Sequence, residues 1–249
     1  MQKCITMEAL LLAAGLGTRL RPLTNDRPKA LVELNGHTLL EYAIQNLTRQ
    51  GITHIVVNVH YFASKMIDYL SSNSWDIPIS ISNEEDLLLD TGGGLKKAAT
   101  LFSGTEPILI HNVDILSHIQ FSEMLEFHRQ SHSIATLAVS ERTTSRQLLF
   151  DDHLQLIGWY NKASETYLWT DEQKEQKSNR QMAFSGIAII EPKLTQLLPE
   201  SDHPYPIIPE YLKIAARHKI DCFIHPAQDW LDVGKPETLE QAKTFIKQL

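Results

Sequence analysis

Residues 12–36 read LAAGLGTRLRPLTNDRPKALVELNG and join an apolar run to a turn rich in glycine and cations. The apolar residues Ala9–Ala14 predict a buried strand, after which Gly15 and Gly17 let the backbone turn sharply with its N–H groups unoccupied. Unoccupied N–H groups in such a turn bind phosphate oxygens. We therefore expect a phosphate-binding turn formed by Leu12, Ala13, Ala14, Gly15, Gly17 and Thr18.

Three cations follow this turn, Arg19, Arg21 and Lys29, in a segment that Pro22 and Pro28 stiffen. Arginine offers a planar fork for phosphate oxygens and lysine offers a compact point charge. The combination suits a leaving pyrophosphate and a reacting phosphoryl group. The segment is not a Walker A loop, because no Gly-Lys-Ser/Thr follows the glycines, and it lacks the third glycine of a dinucleotide fingerprint.

Short apolar runs alternate with amphipathic stretches through the first half of the chain. We predict strands at Ala9–Ala14, Ile55–Val59, Ile77–Ile81, Ile108–Ile110 and Ile134–Val139. We predict helices at Thr38–Gln50, Phe62–Leu70, Leu95–Phe102 and Phe121–His128. This alternation predicts an α/β fold with a Rossmann-like, mainly parallel central sheet, helices on both faces, and ligands at the carboxyl ends of the strands.

The second half of the chain loses the alternation and is expected to add a small β-rich portion. We predict a hairpin from Leu148–Phe150 and Leu154–Tyr160, a polar arm over residues 161–181, and an apolar strand at Ala183–Ile190. Helices are expected at Ile207–Arg217 and Thr238–Lys247. The arm is either a flap with a function or a plain surface loop, and both interpretations stay open.

Composition limits the partners. The 249 residues carry a formal charge of −7, so a broad basic surface for nucleic acid is not expected. No run approaches the ~20 apolar residues that cross a bilayer, so no membrane contact is expected. The two cysteines, Cys4 and Cys222, form neither a disulfide framework nor a zinc cluster, which predicts inert thiols and a cytoplasmic protein. A homo-oligomer remains open.

Two aspartates stand out beyond the glycine turn. Asp114 follows the predicted strand Ile108–Ile110 and the polar residue Asn112, and Asp232 lies in WLDVGKPE, residues 230–237. A carboxylate at the carboxyl end of a strand can enter the ligand crevice, where its hard oxygen suits Mg²⁺. Either aspartate alone would as readily form a turn or cap a helix.

Together these segments resemble the signature of sugar-1-phosphate nucleotidyltransferases, and the resemblance extends to WLDVGKPETLEQA at residues 230–242. The similarity is closest to the N-acetylmuramate-1-phosphate uridylyltransferase and mannose-1-phosphate guanylyltransferase branches. It implies a GT-A-like nucleotidyltransferase fold and transfer of a nucleoside monophosphate from a triphosphate to a sugar 1-phosphate. By resemblance, Arg19 holds the leaving phosphates, Lys29 stabilises charge at the α-phosphate, and Asp114 and Asp232 bind Mg²⁺.

The same resemblance suggests where the substrates bind. It implies one domain over residues 1–249, with a nucleotide-binding half at 7–140 and a sugar-phosphate-binding half at 141–249. The segment EEDLLLDTGGG, residues 84–94, would contact the nucleobase, since its glycines leave room for a base against the backbone. A glycine-rich helix start without ligand contact is the alternative. The nucleotide-binding residues expected here and beside Asp114 are Glu84, Thr91, Gly92, Gly93 and Asn112.

The sugar phosphate is expected at Ser185 and Gly186, where a small residue opens an apolar strand, and at Lys162. Lys162 departs from the family's Glu-Lys-Pro element because Asn161 and Ala163 replace the flanking residues. Arg146 could bind substrate or pair with an acid. We interpret His111 as a packed residue that binds no ligand.

Two other functions fit the residues. One is a cytidylyltransferase that acts on a phosphorylated alcohol such as phosphocholine, with the same phosphate turn and metal pair. The other is a catalytically idle module that binds a nucleotide-sugar. The identities of the nucleobase and the sugar do not follow from the sequence.

Overall fold

A computed structural model describes residues 6–171 and 180–248 of the chain. The strands are β1 (Glu8–Leu12), β2 (Glu33–Leu34), β3 (His37–Thr38), β4 (His54–Val59), β5 (Ile79–Asn83), β6 (Ile108–Asn112), β7 (Ile115–Ser117), β8 (Ala135–Ser140), β9 (Arg146–Phe150), β10 (Leu156–Asn161), β11 (Thr166–Trp169), β12 (Arg180–Ile190), β13 (Ile220–Ile224) and β14 (Trp230–Asp232). The helices are α1 (Leu39–Arg49), α2 (Ala63–Ser72), α3 (Asp90–Ala98), α4 (Phe121–Ser131), α5 (Leu194–Leu197), α6 (Ile207–Ala215) and α7 (Pro236–Phe245).

The central sheet combines a parallel part with antiparallel additions. Strand β1 pairs in parallel with β4 and β6, and β5 continues the parallel part beyond β4. Strand β12 pairs antiparallel with β6, and from β12 the sheet continues through β9, β10 and β11, while β8 and β13 branch from β12. The predicted α/β fold with a mainly parallel central sheet is confirmed, and the antiparallel strands come from the second half of the chain.

Helix α1 illustrates how local sequence sets an element. The Thr38 hydroxyl accepts a hydrogen bond from Glu41 N at 3.1 Å, and the Glu41 carboxylate accepts one from Thr38 N at 2.6 Å. This reciprocal capping box satisfies two backbone donors that the helix itself leaves unpaired. Gly51, at φ 85°, ends the helix in the left-handed region that favours glycine. The predicted helix Thr38–Gln50 is confirmed, with Thr38 and Gln50 as its two cap residues.

The predicted hairpin of β9 and β10 is confirmed, but residues 161–181 are more regular than expected. Residues Thr166–Trp169 form β11, which pairs with β10 so that Tyr167 lies across from Tyr160. Their rings stack with centroids 4.3 Å apart, and this aromatic pair explains why a polar stretch contains a strand. Residues 172–179 of the predicted arm lie outside the described residues.

Two smaller predictions concern the last helix and the thiols. Helix α7 begins at Pro236, two residues before the predicted start at Thr238, because proline suits the first helical position. Burial raises the pKa of the Cys222 thiol to about 12, as expected for an inert cysteine, whereas Cys4 lies outside the described residues. Within the described ranges, no helix is long and apolar enough to cross a membrane.

Candidate active site

The two predicted metal-binding aspartates lie side by side. Strands β7 and β14 pair antiparallel with Asp232 opposite Ile115, and Val233 N donates to Asp114 O at 2.8 Å. A Cβ placed on Gly234 would stand 2.9 Å from Asp114 Oδ2 and 2.7 Å from Asp232 Oδ1. Both carboxylates therefore reach the same point, although 118 positions separate them in the sequence.

Each carboxylate is paired with one of the predicted catalytic cations. Lys29 Nζ lies 2.5 Å from Asp114 Oδ2, and Arg19 Nη1 lies 3.7 Å from Asp232 Oδ2. The Lys29 and Asp114 side chains are 15% and 8% exposed, whereas those of Arg19 and Asp232 are 56% and 29% exposed. Charges interact more strongly away from water, so the Lys29 pair is a firm inner contact and the Arg19 pair is a loose outer one.

Gly17 explains how the glycine turn lies against Lys29. It has φ 63°, and a Cβ at this position would lie 3.0 Å from the Thr24 side chain and 3.1 Å from Lys29 Cβ. Thr24 Oγ1 donates to Gly17 O at 2.8 Å and fixes the turn. Glycine is thus required here both by the left-handed backbone and by the lack of space.

The start of the phosphate turn differs from expectation. Ala13 N and Ala14 N donate to Asn58 Oδ1 at 2.7 and 3.3 Å. The prediction of unoccupied N–H groups is therefore wrong for these two residues, because a side chain at the end of β4 uses them. In the described part of the chain, the N–H groups of residues 15–18 form no hydrogen bond.

Asn58 is held in turn by Glu84, a residue expected to contact the nucleotide. Asn58 Nδ2 donates to Glu84 Oε1 at 2.8 Å, and Leu89 N donates to Glu84 Oε2 at 3.1 Å. Glu84 is buried, and this burial raises the pKa of its carboxyl. Glu84 thus supports the phosphate turn through Asn58, while its direct contact with a nucleotide stays a prediction.

The glycines of residues 92–94 lie within α3, which begins at Asp90, five residues before the predicted helix. A Cβ on Gly92 would lie 2.5 Å from the Tyr205 ring, and Gly92 N donates to Tyr205 O at 2.9 Å. The Thr91 hydroxyl accepts from Ile207 N at 2.9 Å. Close packing against the second half of the chain accounts for glycine here, and nucleobase contact by Thr91, Gly92 and Gly93 stays a prediction.

A cavity of about 390 Å³ opens beside the two aspartates. It brings together six residues predicted for the site, namely Arg19, Asn112, Asp114, Ser185, Gly186 and Asp232. Gly186 has φ 70°, and a Cβ there would lie 2.6 Å from Asn112 Nδ2, so glycine lets the two segments meet. Lys162 is not part of this cavity: it lines a neighbouring one of about 600 Å³ that shares Arg142, Thr144 and Gln147.

Residues of the cavity that sequence reasoning missed include Arg142 and Trp159. Arg142 lies in ERTTSRQLLF, residues 141–150, where nothing in the pattern distinguishes it from the other polar residues. Arg146, whose role was left open, also lines the cavity and forms no ion pair within the described residues.

The Ser185 hydroxyl is bonded to another residue of the protein and is not offered to a ligand. It is fully buried, and its Oγ lies 2.7 Å from His225 Nε2. His225 Nδ1 must donate to Pro226 O at 2.8 Å, so Nε2 accepts from the Ser185 hydroxyl. Burial lowers the pKa of His225, which keeps this neutral arrangement. Contact between Ser185 and the sugar stays a prediction.

His111 is a packed residue, as expected. It is buried, its Nδ1 donates to Asn112 O at 2.8 Å, and its ring meets Phe121 edge-on. Burial lowers the pKa of His111 to about 4, so the ring is neutral at physiological pH.

Comparison with known proteins shows the family of this chain. Residues 8–248 match the model of the family described as nucleotidyl transferase. The chain belongs to this family. It is 32% identical over 235 residues to N-acetylmuramate alpha-1-phosphate uridylyltransferase of Caulobacter vibrioides, with 92% of each chain covered. It is 29% identical over 235 residues to mannose-1-phosphate guanyltransferase of Yarrowia lipolytica. That match covers 93% of this chain and 61% of the longer relative.

A solved structure agrees on the fold. A putative glucose-1-phosphate thymidylyltransferase from Bacillus anthracis superimposes with a TM-score of 0.77 at 16% identity, covering 98% of this chain and 96% of that one. The family model and the relatives named above confirm the predicted enzyme class. This nucleotidyltransferase transfers a nucleoside monophosphate from a triphosphate to a sugar 1-phosphate and forms a nucleotide-sugar and pyrophosphate.

Proposed function

We propose that Asp114 and Asp232 hold Mg²⁺, and that the cavity beside them binds the sugar 1-phosphate. The observation that carries this proposal is the meeting of the two carboxylates at Gly234. Mg²⁺ is usually held by one or two carboxylates, with water and substrate phosphates completing its shell. The described residues contain no group of three or more His, Cys, Asp or Glu side chains that could hold a metal alone, so a site completed by the triphosphate fits the donors present.

The proposed reaction is an in-line displacement at the α-phosphorus of the triphosphate. A phosphate oxygen of the sugar 1-phosphate forms the new bond, and the bond to pyrophosphate breaks. The attacking oxygen is already anionic, so the chain supplies no general base. Bound Mg²⁺ would neutralise charge on the reacting phosphates.

The chain's own groups position the phosphates and offset the charge that develops. The free N–H groups of residues 15–18 bind the triphosphate. Lys29 leaves the carboxylate of Asp114 for the α-phosphate, where negative charge grows, and the exposed Arg19 follows the departing pyrophosphate. Catalysis then rests on orientation and preorganised charge.

We propose UTP and N-acetylmuramate 1-phosphate as the first substrate pair to test, because the uridylyltransferase relative matches along 92% of both chains. The assay combines UTP, GTP, CTP and dTTP with several sugar 1-phosphates and with phosphocholine, and measures pyrophosphate release. The highest kcat/KM is expected for the named pair. Activity only with CTP and phosphocholine would favour the cytidylyltransferase, and no pyrophosphate with any pair would favour an idle module.

Carboxylate variants test the metal site. Asp114→Asn and Asp232→Asn should each abolish turnover at ordinary Mg²⁺ concentrations, because each removes one of the two anionic ligands. The exposed residue Asp202 provides a matched control, and Asp202→Asn should leave turnover unchanged. Wild-type rates in a folded Asp114 or Asp232 variant would contradict the assignment.

The proposal also covers the two halves of the chain, its location and its oligomeric state. We place the nucleotide with residues 7–140 and the sugar phosphate with residues 141–249, where Ser185 and Gly186 line the cavity. Lys162 lies in the adjoining cavity, from which its side chain would have to reach the sugar phosphate. A cytoplasmic location, where nucleoside triphosphates are available, and a homo-oligomer belong to the same proposal.

A further inference from the structure

Arg142 lines the cavity and is held in place by two contacts. It follows β8, and its guanidinium carbon lies 3.4 Å from the centroid of the Trp230 ring. Its Nη2 donates to the backbone oxygen of Phe184. Stacking on an aromatic face and a hydrogen bond at one edge together fix both the position and the plane of the guanidinium.

The surface on which Arg142 stacks is itself anchored. Trp230 Nε1 donates to Ser185 O at 2.7 Å, and the Ser185 hydroxyl bonds to His225 at 2.7 Å. The buried pair of Ser185 and His225 thus holds the indole, and the indole holds the guanidinium. A side chain supported in this way loses little conformational entropy when it binds a ligand.

The charge of Arg142 is not matched by the protein around it. Within the described residues it forms no ion pair, and its Nε is buried without a hydrogen-bond partner. Asp232, which shares the cavity, acts on it only at longer range. Burial lowers the pKa of Arg142 to about 10, so the group stays charged at neutral pH. A desolvated cation with an unused donor is costly unless an anion binds there.

We infer that Arg142 binds the phosphate of the sugar 1-phosphate and holds its attacking oxygen in line with the α-phosphorus. The inference rests on the proposed function, in which Arg19 and Lys29 serve the triphosphate. Arg142 lines the cavity on the side of Phe184 and Gly186, where the acceptor is placed. A guanidinium fork matches two phosphate oxygens, and Nη1 of Arg142 forms no hydrogen bond within the described residues.

The test separates the Michaelis constants of the two substrates. Loss of a charge-assisted hydrogen bond predicts that Arg142→Met raises the KM of the sugar 1-phosphate roughly 10- to 100-fold, while the KM of the triphosphate stays within about twofold. Arg142→Lys keeps the charge but loses the fork, so its acceptor KM should lie between those of Met and wild type. Arg217→Met, a change at an exposed arginine outside the cavity, is the control and should alter neither KM.

The Trp230 ring, on which Arg142 stacks, supplies a second variant. Trp230→Leu should raise the acceptor KM less than Arg142→Met, and the double variant should be no worse than Arg142→Met alone, because the indole acts through the guanidinium. Equal increases in both KM values, or an unchanged acceptor KM in folded Arg142→Met or Arg142→Lys protein, would overturn the inference. Failure of the proposed function is distinct, since wild-type protein would then release no pyrophosphate with any substrate pair.

Discussion

Gly234→Ala tests whether one methyl group can disable the two-carboxylate site. A Cβ at this position would lie 2.7 Å from Asp232 Oδ1, 2.9 Å from Asp114 Oδ2 and 2.7 Å from an Arg19 nitrogen. Since ordinary van der Waals contact begins at 3.4 Å, the two carboxylate oxygens would each have to retreat by about 0.5–0.7 Å. The φ angle of Gly234 lies outside the left-handed region, so alanine adds no backbone strain.

The expected effect is large for activity and small for stability. Mg²⁺ tolerates little departure from octahedral contacts at about 2.0–2.1 Å, and a misplacement on the order of 1 Å costs about 100-fold in rate. We therefore expect kcat/KM to fall about 30- to 100-fold, with part of the loss recovered at high Mg²⁺. The crowded atoms end flexible side chains, so the midpoint of thermal unfolding should change little.

Gly104→Ala is the matched control for Gly234→Ala. Gly104 precedes β6, at the amino end of the strand, and no atom lies within 4 Å of its added Cβ. Its φ of 78° makes alanine unfavourable, so this control should lose stability and keep its turnover. Pyrophosphate release and thermal unfolding are measured on both variants. Wild-type turnover in Gly234→Ala, at limiting Mg²⁺, would refute the two-carboxylate site.

Three further predictions concern other parts of the molecule. Lys29→Ala should lower kcat about 100-fold with a smaller change in triphosphate KM, because Lys29 offsets charge that grows in the transition state, and a pure rise in KM would show that it only binds. Gly92→Ala should destabilise the fold by about 1–3 kcal/mol in urea unfolding, opposite in sign to the usual gain from alanine in a helix, because the methyl meets Tyr205. The pKa of His111 is about 4 in the folded state, below its unfolded value. Between about pH 6.5 and pH 4 the unfolded chain therefore binds more protons, and the free energy of unfolding should fall by roughly 1 kcal/mol per pH unit as the pH is lowered. His111→Phe should flatten this slope.

The parts of the fold that follow from sequence are those set by local pattern. The two residues of the capping box, Thr38 and Glu41, are three positions apart, and the apolar residues of β1 are consecutive, so both features follow from local spacing alone. Helix α3 was expected to begin later because three glycines disfavour a helix. Contacts with Tyr205, more than 100 positions away, stabilise the helix there and override the local preference.

The candidate site also has parts that follow from local sequence and parts that depend on distant contacts. Its charged groups were found because Lys29, Asp114 and Asp232 stand in motifs that resemble a family. The supports of these groups were missed, because the amide of Asn58 and the guanidinium of Arg142 acquire their roles only through partners distant in the chain. A polar residue near the end of an apolar strand, as Asn58 is in β4, was the one available signal for the first of them.

The two ion pairs explain how a charged site can be stable before substrate arrives. Each carboxylate that is proposed to bind Mg²⁺ is compensated by a cation that is proposed to bind phosphate, Asp114 by Lys29 and Asp232 by Arg19. When Mg²⁺ and the triphosphate bind, these groups would exchange partners, so that Asp114 and Asp232 would hold the metal and Lys29 and Arg19 would bind the phosphates. No buried charge is left unpaired on either side of this exchange, which matters most for the inner pair, because an unpaired charge there would cost several kcal/mol. Arg142 differs from Lys29 and Arg19 because it forms no ion pair with a carboxylate within the described residues. Its charge would be compensated by an anion only when the acceptor phosphate is bound.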